Sequence, residues 1–216
     1  MVAGLALLLA CGRDKTPSVQ TTSVHADTTA RRTVLIVGTS LTAGLGLDPE
    51  DAWPALIQAK IDSAGLPYHV VNAGLSGETS AGALRRIDWL LRGPVDVFVL
   101  ETGANDGLRG LDTDSLRANI EAIFAKVHAA RPSARLALIQ MEAPPNLGAD
   151  YASHFHAVYA EAAKAEDATL LPFLLDSVAG HPALNQADGM HPNVTGSRVA
   201  ARTEWRALLP LLAESR

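Results

Sequence analysis

Cysteine is nearly absent from this chain of 216 residues: Cys11 is the only one. No intrachain disulfide and no cysteine-based metal site can form from it. Runs of Lys or Arg are missing too, and the formal net charge is −5. A nucleic-acid surface needs clustered basic side chains, so nucleic acid is not an expected partner. Aromatic residues are scarce, at 5%, too few to furnish the extra exposed rings of a sugar-binding cleft. The apolar stretch at residues 2–10 (VAGLALLLA) is too short to cross a bilayer. What the chain does have is 48% hydrophobic and 19% charged residues, a globular composition with enough length for one substantial core.

The first 32 residues read differently from the rest. The run 2–10 has the length of a signal-peptide h-region, and Leu8-Leu9-Ala10-Cys11 resembles a bacterial lipobox, where cleavage leaves a lipidated cysteine at the N-terminus. No Lys or Arg precedes the run, as a secretory n-region would have. Residues 12–32 (GRDKTPSVQTTSVHADTTARR) are rich in Thr and Ser with almost nothing to bury, the composition of a flexible tether. The expected organisation is a signal peptide with lipobox Cys11 at 1–11, a linker at 12–32 and one folded domain at 33–216. The chain would then be exported, periplasmic or anchored by lipid to the outer membrane, with the membrane as a partner.

Within the domain, apolar β-branched runs alternate with amphipathic stretches. Residues 33–38 (TVLIVG), 68–71, 96–100 (DVFVL), 135–141 and 169–171 read as strands. Helices are expected at 51–64, 79–91, 112–130 and 151–166, and from near Pro192 or Asn193 to about 212. The clearest helix carries Leu116, Ile120, Ile123, Phe124 and Val127 as its apolar stripe. This rhythm predicts βαβ units, hence an α/β fold with a parallel sheet covered on both faces. Ligands of such sheets bind beyond the carboxyl ends of the strands, where Gly38-Thr39-Ser40, Gly103-Ala104-Asn105 and the 141–150 loop all fall.

The glycine-rich stretch GTSLTAGLG after the first strand admits three readings: a turn, a phosphate loop or a nucleophile. It has no Gly-Lys-Ser/Thr ending, no third glycine at dinucleotide-binding spacing and no lysine, so phosphate binding is set aside. A nucleophilic Ser40 needs a base and an orienting group. Asp188-Gly189-Met190-His191-Pro192 supplies both, because an aspartate three residues before a histidine can share its turn and fix the imidazole tautomer. Two loops can furnish oxyanion donors: the backbone N–H of Gly77 in residues 72–79 (NAGLSGET), and the Asn105 side chain in residues 101–107 (ETGANDG). Each feature alone is an ordinary loop residue; together they fall at one edge of one sheet.

These four blocks, in this order, resemble the SGNH or GDSL hydrolases. Residues 105–111 (NDGLRGL), 53–56 (WPAL), 71–73 (VNA) and 171–173 (LPF) are similar to the bacterial subgroup that contains acyl-CoA thioesterase I, lysophospholipases and arylesterases. The resemblance implies a single-domain three-layer αβα sandwich with a five-stranded parallel sheet of flavodoxin-like type, and a serine esterase. Ser40, His191 and Asp188 would form the triad, with Ser40, Gly77 and Asn105 as the oxyanion hole. It implies no metal and no cofactor, and a small acyl or aryl ester or thioester, lysophospholipids included, as substrate. Thioesterase action on acyl-CoA, carbohydrate deacetylation and a catalytically weakened lipid-anchored binding module are the alternatives. Two departures stand out: Thr39 where the family usually has Asp, and Ala104 where Gly is common. The chain has no G-x-S-x-G elbow, against an ordinary α/β-hydrolase. His154 and His156, two apart on a helix, face different directions and make a poor metal pair. The 141–150 loop is expected to wall the acyl pocket.

Overall fold

The computed structural model describes Met1 and residues 31–213; the expected signal peptide, Cys11 and most of the linker lie outside the described residues. Five strands form one sheet: β1 (Arg32–Gly38), β2 (Tyr68–Gly74), β3 (Val97–Leu100), β4 (Arg135–Gln140) and β5 (Thr169–Phe173). All neighbours are parallel and their order is β2-β1-β3-β4-β5, the flavodoxin-like arrangement. The apolar runs of β1, β3 and β4 are buried almost throughout, whereas edge strands β2 and β5 are partly exposed. Continuous hydrophobic strands belong in the middle of such a sheet because helices cover both faces.

The helices are α1 (Ser40–Ala43), α2 (Trp53–Ser63), α3 (Ser80–Leu90), α4 (Ala104–Leu108), α5 (Thr113–Ala130), α6 (Ala149–Ala165) and α7 (Val194–Ala213). α2 packs on α7; α3 packs on α5, and α5 on α6. The chain runs from β1 sideways to β2, then returns past β1 to β3, β4 and β5. Right-handed crossovers therefore put α2 on one face and α3, α5 and α6 on the other. The expected stripe of α5 is buried in full, and Phe124 meets Phe98 of β3 edge to face at 5.9 Å.

Several boundaries differ from the sequence expectation for local reasons. The first strand begins at Arg32, one residue earlier than expected, where the Arg32 N–H donates to Pro67 O (2.7 Å) beside β2. Residues 49–51 form a separate 3-10 turn before α2 rather than its first turn, and α2 begins at Trp53 with Pro54 in its first turn. β2 runs three residues further, to Gly74, as the partner of β1. α7 starts at Val194 because Asn193 caps it, its Oδ1 accepting from the N–H groups of Thr195 (3.0 Å) and Gly196 (3.1 Å). Pro192 instead bridges Asn185. The short helices α1 and α4 were not expected at all. Both sit at the carboxyl edge, after β1 and β3, where the strand order switches direction.

Candidate active site

Ser40 opens α1 directly beyond β1. Thr39 caps this helix, its Oγ1 accepting from the Leu41 N–H at 3.4 Å. The first N–H groups of a helix have no partner within it, so the Ser40 backbone donor and its hydroxyl emerge together at the sheet edge. From the other end of the domain, the 188–191 turn brings His191 to this point: Nε2 lies 2.8 Å from Ser40 Oγ. Nδ1 of the same ring lies 2.6 Å from Asp188 Oδ2. The turn is closed by Asp188 Oδ1, which accepts from the N–H groups of Met190 (2.9 Å) and His191 (3.0 Å), and it needs the positive φ of +70° at Gly189.

These bonds set the charge. The His191 backbone N–H, then the His191 ring and the Met190 N–H, hold the Asp188 carboxyl down at about 2. Asp188 is thus an anion fixed on Nδ1, which leaves Nε2 as the lone-pair nitrogen facing Ser40. A hydroxyl, a ring nitrogen and a carboxylate in such a line can pass a proton from the hydroxyl to the ring.

Beneath Ser40 lies a second carboxyl, Glu101, just past the end of β3 and fully buried. It accepts from the Thr39 N–H (2.7 Å), the Thr39 hydroxyl (3.0 Å) and the Thr42 hydroxyl (2.9 Å). Burial raises its pKa, opposed by these donors. Thr39, which departs from the usual Asp, is therefore a full member of this network: its N–H and hydroxyl both engage Glu101. Glu101 was not recognised from sequence; the available signal was a carboxylate ending an otherwise apolar strand, DVFVLE.

The oxyanion candidates are held side by side. Asn105, on α4, donates one amide hydrogen of Nδ2 to Glu78 O (2.9 Å), the residue after Gly77, and retains a second. Leu75 N–H donates to Gly38 O (2.8 Å), tying the Gly77 loop to the end of β1. Arg86 braces the same loop: Nε and Nη2 reach Glu78 at 2.7 and 2.5 Å, and Nη2 donates to Ala73 O (2.7 Å). Behind Asn105, buried Asp106 accepts from the Ser80 N–H (2.9 Å) and hydroxyl (2.6 Å). Arg86 and Asp106 were also missed, since a sequence does not say which distant loop a charged side chain will brace.

The 141–150 loop does not border the cavity beside Ser40 and His191. Pro144 and Leu147 lie against Gly107 and Gly110, and the Tyr151 hydroxyl donates to Leu111 O (2.7 Å). The loop buttresses the Asn105 segment. His156 pairs with Glu142 (2.7 Å) rather than with His154. Among the described residues, no group of His, Cys, Asp or Glu is arranged to hold a metal ion, and no helix is long and apolar enough to cross a membrane.

A parallel sheet in this order, flanked by helices and carrying Ser40, His191 and Asp188 in hydrogen-bond sequence at its carboxyl edge, defines a flavodoxin-like α/β fold with a candidate acyl-transfer site. Comparison with known proteins then makes the class specific. The GDSL-like lipase/acylhydrolase family matches residues 36–199. Esterase TesA of Pseudomonas aeruginosa is 40% identical over 184 residues, 85% of this chain and 90% of that protein. Thioesterase 1/protease 1/lysophospholipase L1 of Escherichia coli K12 is 39% identical over 184 residues, 85% and 86% of the two chains. The crystal structure of the psychrotrophic esterase EstA from Pseudoalteromonas sp., inhibited by monoethylphosphonate, has a TM-score of 0.79 at 35% identity and covers 85% of this chain and 100% of that one. The chain belongs to the GDSL-like lipase/acylhydrolase family and is a carboxylic-ester hydrolase of the esterase, thioesterase and lysophospholipase type.

Proposed function

We propose that the protein is a serine esterase that hydrolyses acyl or aryl esters through Ser40, His191 and Asp188. The Ser40 N–H, the Gly77 N–H and the Asn105 side-chain amide form its oxyanion hole. In the first half-reaction Ser40 Oγ attacks the carbonyl carbon, and its proton passes to His191 Nε2. The carbonyl oxygen becomes an oxyanion held by the three donors, while Asp188 stabilises the imidazolium. Collapse breaks the carbon–oxygen bond to the alcohol, which takes the proton from Nε2. In the second half, water attacks the acyl-enzyme, gives its proton to Nε2, and that proton returns to Ser40 Oγ as the carboxylic acid departs. Loss of one oxyanion donor of this kind lowers turnover by about 10²–10³.

The observation that carries this reading is the unbroken line Ser40 Oγ–His191–Asp188, at 2.8 and 2.6 Å. The test is hydrolysis of p-nitrophenyl esters of increasing acyl length by the wild type beside Ser40→Ala. Activity lost in the variant, with an unchanged thermal transition, is the expected result. Equal activity in both proteins would remove Ser40 from the chemistry. Thioester hydrolysis is a second reading, favoured by the name of the Escherichia coli relative; the acyl-enzyme is common to both, and only the leaving group differs.

We also infer an exported lipoprotein anchored through Cys11, with residues 12–32 holding the enzyme off the membrane. Support comes from the apolar run and the Leu8-Leu9-Ala10-Cys11 sequence. Metabolic labelling with a fatty acid should mark the wild type and not Cys11→Ala; equal labelling of both would reject the anchor.

A further inference from the structure

No long run of Lys or Arg occurs in the sequence, yet the fold assembles a basic face. On α7, Arg198, Arg202 and Arg206 stand four residues apart, a spacing that keeps side chains in one stripe along a helix. All three are exposed, whereas Ala200, Ala201, Glu204 and Leu208 of the same helix are buried against the domain. At 1.5 Å per residue the stripe covers about 12 Å, and the exposed Leu209 follows it. Lys60 of α2 joins from across the α2–α7 groove. There Lys60, Arg198 and Arg202 flank Leu56, Ala59 and Ala201, and no acidic residue lines the groove.

These charges are scarcely used inside the protein. Arg198 reaches Asp51 only at 3.5 Å, and its side chain is 60% exposed. Lys60, Arg202 and Arg206 have no side-chain hydrogen bond or ion pair among the described residues. Glu204, the one acidic residue of α7, is buried on the opposite side of the helix and does not offset the stripe. In a chain with a formal net charge of −5, positive charge is thus gathered on one face. Such a face attracts an anionic surface that comes within a Debye length of about 8–10 Å.

The point where the chain enters the domain says which surface this is. Arg31 pairs with Asp62 near the end of α2, two residues past Lys60. The segment that carries Leu8-Leu9-Ala10-Cys11 therefore joins the domain beside the basic face. At its other end α7 reaches the site, where Ser197 and Ala200 border the crevice beside Ser40 and His191. We propose that the α2–α7 face docks on an anionic phospholipid surface, with Lys60, Arg198, Arg202 and Arg206 against the headgroup phosphates. Nucleic acid is the poorer match, because four charges neutralise few phosphates and its non-specific binding grows with that number. The docking is a property of the folded surface; it needs neither acyl transfer at Ser40 nor a lipid on Cys11.

The test is co-sedimentation of the full chain with lipid vesicles, in a Cys11→Ala background that cannot be lipidated. The vesicles are phosphatidylcholine alone, or phosphatidylcholine with an equal part of phosphatidylglycerol. The chain should prefer the anionic vesicles, and added salt should release it. Each lost charge should lower partitioning about fivefold. Arg202→Gln alone should therefore cost about fivefold, and Arg198→Gln, Arg202→Gln and Arg206→Gln together about 100-fold. The same three positions changed to Lys should keep binding, since charge rather than side-chain shape is recognised. An equal loss of charge on the opposite face, through Arg85→Gln, Arg92→Gln and Arg117→Gln, should leave partitioning within about twofold. A thermal melt accompanies each variant, and Arg202→Gln carries the comparison if the triple variant unfolds. No preference for anionic vesicles, or equal losses from the two triple Gln variants, would overturn the proposal. So would stripe-dependent binding to a DNA duplex that is tighter than to vesicles, or stripe-dependent dimerisation without lipid, which would give the face to nucleic acid or to a second copy of the chain.

Discussion

Asp188 and Glu101 are two carboxyls of one site in opposite environments. Asp188 stands at the surface, 39% exposed in its side chain, and is held at about 2 by N–H groups and the His191 ring. Glu101 lies fully buried beneath Ser40, and burial raises it. The surface carboxylate has its charge secured by donors from its own turn, within three residues. The buried one is met by two threonines some sixty positions away in sequence, and no ion pair reaches it among the described residues. In the proposed reaction the first acts through charge; the second binds the Thr39–Thr42 segment that carries Ser40. A third carboxyl, Glu204 on α7, shows what burial does without donors: neither oxygen finds a partner among the described residues, and burial pushes it up to about 8.

Breaking the surface member should have the largest effect on activity. Asp188→Asn keeps the shape of the turn but presents an amide where His191 needs an anion, so kcat should fall by about 10³–10⁴. A thermal melt should show little change, and a kcat within tenfold of wild type would dissociate Asp188 from the reaction. Because the carboxyl stays ionised down to about 2, its protonation does not set the acid limit of activity above that pH.

Breaking the buried member should act on fold and rate together. Glu101→Leu leaves the Thr39 N–H and two hydroxyls unpaired, at about 1–3 kcal/mol for each unsatisfied group. It should also lower kcat by about 10–100-fold through displacement of Ser40. Glu101→Gln, whose carbonyl still accepts from Thr39, should recover most of both, with KM nearly constant. Equal kcat in all three proteins would show that the network does not position Ser40.

The smallest effect sharpens the contrast between buried carboxyls with and without donors. Glu204 has a folded pKa above its unfolded value of 4.5. Its contribution is therefore fully present below about pH 4.5 and is lost as pH rises through about 8, with a slope near 1.4 kcal/mol per pH unit between them. Between about pH 5 and about pH 8 the wild type should lose roughly 10 °C more in Tm than Glu204→Met. Parallel losses would mean that Glu204 does not stay protonated in the folded protein.

The parts of the site that were legible in the sequence share a property: their contacts are local or tied to a strand end. The Asp188–His191 pair lies within one turn, and Ser40, Gly77 and Asn105 each follow an apolar run that could be recognised as a strand. Glu101 and Arg86 were not legible, because each bonds backbone or hydroxyl groups far along the chain. A Glu after an apolar strand is equally compatible with a surface position. The contacts of the 141–150 loop with Gly107, Gly110 and Leu111 were not legible either, because placement at the sheet edge does not say which neighbour a loop will lean on.

Sequence alone determined the alternation of buried strands and amphipathic helices, and with it the parallel α/β layers, because periodicity and β-branching act within each segment. It also determined the chemical groups available at the carboxyl edge. Tertiary structure decided their distances: 2.8 Å between Ser40 and His191, residues 151 positions apart. Such quantities depend on how strands, loops and helices pack together, and close packing is a property of the whole domain rather than of any stretch of chain.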